Sequence, residues 1–446
     1  MIAALAFALC NLYGIERHKR FVAGLRARGV ATSVAAALGP ELQDEENFFA
    51  HPAVKKIAED GPRTKDSIGS SESRGSYGND YAFSERAGVE DQLSVRDEPG
   101  EGGHFTDPGQ DPELDGLAEA LERTGVRPLS NAPERSFSNR LTDGILTLGA
   151  RGIARVRDGD AAAAARDTRA LLRGARTLLQ ADLPFDDKVM GSATVNAATA
   201  VIQEGLWLGR WDAEELARFD ELLGAIDPQR GMISGLRCNL SFSAELAPRR
   251  LHERKVLEVW HSYDLTTATW PQRAQAVWYY KRPRGFWLGD LAERSECMDA
   301  WLRDRIRFTA ADWKRLRPEW ERLMDPYLIP REQGIPLGHV ALAAGHVLDL
   351  ETHIAMARIA VAMERVFLRE GRFPENPFAE QPELARILLI DPWTGDKFQI
   401  TPLNGGGQVE IRSLGPDGVA DAAYASWNNF SAGDRVWKCG RLAEDE

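Results

Sequence analysis

The chain has 446 residues, 43% of them hydrophobic and 27% charged, enough for two or three domains with a sizeable core in each. Its formal net charge of -12 argues against a nucleic-acid binder, because phosphate attraction needs a net or clustered positive field. Cys10, Cys238, Cys297 and Cys439 lie far apart with no Cys-x-x-Cys pair, which excludes the common zinc and thioredoxin-like patterns.

Residues 1–20 open the chain with an apolar run, Met1 to Ile15, broken only by Asn11 and followed at once by Glu16-Arg17-His18-Lys19-Arg20. The run is shorter than the ~20 residues that span a bilayer, and its basic residues follow it, whereas a signal peptide carries them in front. It reads as a membrane anchor or signal-like segment, with a buried first helix of a soluble protein as the alternative. Residues 21–58 read as a short helical or extended segment. Over residues 59–110 Gly, Ser, Asp, Glu and Pro dominate, too little apolar surface to offset ordering entropy, so a disordered linker is predicted.

A helical body is predicted over residues 111–338. Asp111-Pro112 supplies an N-cap and a proline at the first helical position, and Gly125 a stop. Asp160 opens a helix whose Ala162, Ala165, Leu171, Leu172, Ala175, Leu178 and Leu179 share one face. A further helix covers about Lys188 to Leu208, and Asp212 caps the next, with Leu216, Phe219, Leu222 and Leu223 on its apolar side. Helices joined by short turns imply a helical-hairpin array or bundle, and no strict repeat supports a named helical-repeat family.

From Val259 to Tyr327 aromatic residues mix with arginines. Trp260, Trp270, Trp278 and Trp287 are the candidates for a ligand surface, either a sugar-stacking platform or a peptide groove. Large core residues in helical packing explain the same composition. Further on, His339, His346 and His353 recur every seven residues, so neighbours on that stripe stand ~10.5 Å apart, too far to share one ion. Asp349 lies between the last two, making His346, Asp349 and His353 a candidate three-ligand metal set; a polar seam at a helix interface is the competing reading. No Gly-x-Ser-x-Gly, His-Glu-x-x-His or phosphate-loop motif is present.

The last segment, residues 339–446, carries the most specific pattern. The amphipathic stretch Ala360 to Glu370 closes at Gly371, before Arg372-Phe373-Pro374. Asp391-Pro392-Trp393-Thr394-Gly395-Asp396 is a turn leading into a strand near Ile400, Gln408 to Arg412 alternates as a second strand, and Ser413-Leu414-Gly415-Pro416-Asp417-Gly418 follows. This order of helix, Asp-Pro-Trp turn, strand and Ser-Leu-Gly-x-Asp-Gly resembles the globular head of type II secretion pseudopilins. The body also resembles uncharacterised bacterial envelope proteins, which combine an N-terminal anchor, an Asp-x-x-Asn-Phe-like segment (Asp44 to Phe48 here), a helical middle and such a tail. The resemblance implies a small C-terminal α+β module with a short antiparallel sheet. It also implies a calcium loop in which Asp417 and Asp421 would be the acidic ligands; a plain β-turn at Asp417-Gly418 is the other reading. Pseudopilins place this helix directly after a membrane segment, whereas here it lies more than 300 residues into the chain, so the resemblance concerns the module and not assembly into a pilus.

The expectation is a mainly α protein acting as a non-enzymatic scaffold or binding protein of the cell envelope. Its body would lie beyond the inner membrane, with a protein partner, membrane contact through the N-terminus and no cofactor apart from that calcium. A carbohydrate-active or other hydrolytic enzyme using the Trp/Arg-rich region is the alternative.

Overall fold

The structure of the protein is a computed structural model describing residues 2–60, 111–127, 135–253, 284–324, 335–374, 390–420 and 434–440. The expected linker, all but its first two residues, lies outside these, as do Trp260, Trp270, Trp278 and Asp421.

Apart from the single turn Val34–Ala37, the described α-helices are α1 (Ile2–Ala27), α2 (Pro52–Asp60), α3 (Pro112–Leu121), α4 (Arg135–Arg157), α5 (Ala161–Gln180) and α6 (Phe185–Trp207). They continue with α7 (Ala213–Gly224), α8 (Pro228–Glu253), α9 (Arg284–Leu302), α10 (Ala310–Met324) and α11 (Ile335–Glu370). Strands β1 (Gln399–Leu403), β2 (Gln408–Ser413) and β3 (Arg435–Gly440) form one antiparallel sheet in the order β1-β2-β3. The mainly α class and the small C-terminal sheet stand as predicted. The third strand is not legible in the sequence; its burial does not alternate, and it begins with a buried arginine rather than an apolar residue.

Local chemistry starts many of the helices. Asp111 accepts from the Glu113 amide, Asp160 from that of Ala163, and Asp212 from those of Glu214 and Glu215, each satisfying donors that the first helical turn leaves unpaired. Gly371 stops α11 at φ 73°, a conformation that costs a residue with a Cβ ~1 kcal/mol or more. Gly125 does otherwise than expected. Helix α3 ends at Leu121, and Gly125 instead bridges to Asn47, donating to Glu46 O and accepting from the Phe48 amide at 2.9 Å. A Cβ there would lie 2.7 Å from Leu42, so the glycine serves close approach.

Two helices organise the body. Helix α6 packs against α4, α5 and α8, and α11 against α6, α7, α8, α9 and α10. Val195, Ala197, Ala198, Val201 and Ile202 of α6 and Ala357, Ile359, Ala360, Val361 and Met363 of α11 belong to one continuous core. On α5, Ala165, Leu171, Leu172, Ala175, Leu178 and Leu179 are buried as predicted, whereas Ala162 is exposed. The buried face begins at Ala163 because Asp167 and Thr168 also turn inward, where Asp167 meets Arg151.

The first helix lies along α9, and among the described residues no helix is long and apolar enough to cross a membrane. All four cysteines are free; Cys238 and Cys439 are buried, Cys10 and Cys297 exposed.

Candidate functional site

The chemistry-bearing side chains predicted on α11 meet the sheet in a seam between body and C-terminal module. Strand β3 crosses against α6 and α11, bringing Arg435 to Asp349. The Arg435 Nε and Nη2 lie 2.8 and 2.7 Å from Asp349 Oδ1, and both side chains are only 3% exposed. His346, one turn before Asp349, is buried with its ring tilted against Phe185, centroids 6.5 Å apart. Burial pulls its pKa down to about 4, with the Asp349 charge opposing. His353, one turn after Asp349, sets Nδ1 3.4 Å from Asn196 Oδ1 on α6; desolvation lowers its pKa too. The three are a stripe along one helix, and the aspartate's charge is matched by a guanidinium. Among the described residues no group of three His, Cys, Asp or Glu side chains is placed to hold a metal ion. His339 belongs to α11, but its side chain lies outside the described ones.

The motif residues of the module hold it together. Asp391 Oδ1 accepts from the Trp393 amide at 3.0 Å, and its Oδ2 accepts from the Ser413 hydroxyl at 2.8 Å. The Asp-Pro-Trp turn is thereby tied to the end of β2, and Ser413 Oγ goes on to accept from the Gly415 amide. Burial raises the Asp391 pKa, although these same bonds favour its carboxylate. Trp393 then meets Trp313 of α10 edge to face, ring centroids 5.9 Å apart, with both residues buried. The module therefore grips the body at two separate places, through Arg435 and through Trp393.

Asp417 is exposed, and its Oδ1 accepts from the Val419 amide at 3.1 Å, an Asx turn. Of the aromatic-rich segment, Trp287 sits in α9 with its side chain outside the described ones, and Trp313 is core. Trp301 is half-buried between the guanidinium groups of Arg305 and Arg315, 4.7 and 4.8 Å from its ring centroid.

A second polar centre is invisible in the sequence. Lys188 of α6 is fully buried and donates to Leu179 O at 2.5 Å and to Ala181 O, with Leu178 O at 3.4 Å, so its ammonium caps the C-terminal carbonyls of α5. Desolvation pulls its pKa down to about 7 against the acidic pull of Asp182, Cys238 and Asp187; Cys238 in turn is pushed up to about 12 by its own burial. Nothing in the local sequence marks this lysine, because the carbonyls it caps lie at the end of the preceding helix and not in its own.

No family model matches the chain, nor does a curated protein or a solved structure.

Proposed function

We propose that this protein is a non-enzymatic scaffold or binding protein of the bacterial cell envelope, whose helical body carries a pseudopilin-type module at a fixed position to engage a protein partner. The observation that carries the reading is the buried Asp349–Arg435 pair, which ties β3 to α11, the helix that opens the module and also packs through the core of the body. A buried ion pair adds little net stability compared with an apolar pair, but a shift that separates the partners leaves a buried charge unmatched, which favours one docking geometry. A fixed geometry suits presentation of a composite surface, made partly by the sheet and partly by the helices beneath it. The order of α11, the Asp-Pro-Trp turn and the antiparallel strands supports the pseudopilin-type assignment, and the Asp391–Ser413 bond gives a reason for the two motifs to occur together. The body then stands on the outer side of the inner membrane, as pseudopilin heads do, with the N-terminus at the bilayer.

The test is cross-linking of the full chain in intact bacterial cells, paired with assays of the purified chain on polysaccharide, peptide and ester substrates. Saturable capture of one envelope protein, lost in Arg435→Ala while the body stays folded, is the expected result. Turnover of any of those substrates, abolished by substituting a single side chain of the chain, would overturn it.

A further inference from the structure

Helix α1 is inverted between Leu9 and Arg17. Toward α9 it presents Asn11, Gly14 and Arg17. The Asn11 Oδ1 accepts from the Gly285 amide at 2.6 Å, and Arg17 reaches Glu293 and Glu296 at 2.8 Å each. Gly14 lies so close to α9 that a Cβ on it would fall 1.7 Å from Gly285 O. Away from the protein the same stretch turns Leu9, Leu12 and Tyr13, exposed by 57%, 60% and 65%. Beyond Glu16 the ordinary arrangement returns, with Phe21 and Leu25 buried. A helix wholly in water buries its leucines and exposes its asparagine and arginine. Contact through glycine and polar side chains, with the large apolar groups outward, is how helices associate in lipid.

We infer that the outer face of α1 docks on an anionic lipid surface, with Leu9, Leu12 and Tyr13 entering the boundary between headgroups and acyl chains. This rests on the envelope reading above and names the contact that would hold the protein there. Lys19 and Arg20, both exposed, follow the apolar stretch and bring positive charge to phosphate depth on flexible stems; Glu16, also exposed, pairs with Arg20 at 3.4 Å. Local charge complements a phospholipid headgroup although the whole chain is acidic. With no described helix both long and apolar enough to cross a membrane, the contact is interfacial. A second copy fits less well: three side chains offer far less than the roughly 800 Å² per partner of a stable interface.

Flotation of the purified full chain tests this, using vesicles of phosphatidylcholine alone or with about a third phosphatidylglycerol. The chain is expected to float with the anionic vesicles and to release at high salt. Leu12→Glu and Tyr13→Glu each cut the bound fraction by roughly tenfold, and Lys19→Glu with Arg20→Glu removes the preference for phosphatidylglycerol. Because all four side chains face solvent, the helical signal and melting temperature stay unchanged, which separates lost binding from lost folding. A folded chain that fails to float overturns the inference, as does flotation indifferent to both apolar substitutions. A dimer that Leu12→Glu splits, with no vesicle binding, gives the face to a second copy and equally overturns it. Any of these failures leaves the scaffold reading standing, since that depends on partner capture and on Arg435.

Discussion

Arg151 in the helical body and Arg435 in the sheet are both buried, yet they are held in different ways. Arg151 makes a two-pronged contact with Asp167, at 3.0 Å from Nε and 2.9 Å from Nη2, and its Nη1 reaches Asp115 at 2.8 Å. Asp167 also accepts from Arg155 at 2.8 Å, so three helices, α3, α4 and α5, share one network. Arg435 meets Asp349, and both of these contacts converge on one oxygen. The body is thus cross-braced, with charges that back one another up, whereas the ion pair that latches the sheet to α11 rests on a single acceptor oxygen. Arg151 and Asp167 lie in successive helices; Arg435 and Asp349 are 86 residues apart.

The largest consequence falls on the brace. Replacing Asp167 by Ala strands Arg151 in the core and should cost about 4 kcal/mol, within the range for breaking a buried pair. Chemical denaturation should show it as a loss of stability of the whole body. A loss under ~1 kcal/mol would mean that Asp115 alone satisfies Arg151.

Asp349→Ala should cost about 3 kcal/mol, but locally. Amide exchange should quicken in β2 and β3 while α4, α5 and α6 keep their protection. If the two regions loosened together, the latch and the brace would be one cooperative unit and the contrast would fail. Replacing both partners at once, Asp349→Leu with Arg435→Met, should return stability to within about 1 kcal/mol of the parent, because no buried charge is then left unmatched.

Acid separates the regions in another way. The buried ring of His346 has its pKa depressed from 6.5 to about 4, so the unfolded chain binds that proton more readily than the folded one. Its contribution is complete above pH 6.5 and is lost as pH falls toward 4, about 3 kcal/mol in all. Melting followed from pH 7 to pH 4.5 should therefore fall less steeply in His346→Leu than in the parent. Parallel curves would show that the folded protein takes up the His346 proton as readily as the unfolded chain, so that burial does not hold the imidazole neutral.

The smallest effect tests the local end of the comparison. Asp212→Ala removes two bonds to the first turn of α7 and should lower stability by about 1 kcal/mol, well below either arginine contact. A larger loss would show that the cap also positions α7 against α11.

The sequence by itself determined several of the helices with their caps and two of the three strands. Asp111, Asp160, Asp212 and Gly371 act within a few residues of themselves, so their roles follow from backbone chemistry that any chain would obey. It also marked His346 and Asp349 as a polar stripe on an apolar helix. Tertiary structure decided what that stripe faces. Arg435 emerges from a strand with no helical neighbour to announce it, and Lys188 caps a helix other than its own. The outward turn of Leu9, Leu12 and Tyr13 was equally out of reach, because an apolar run looks the same from either side until α9 claims one face of it. Short-range bonds are written in spacing; the burial of a charge depends on which distant segment arrives to meet it.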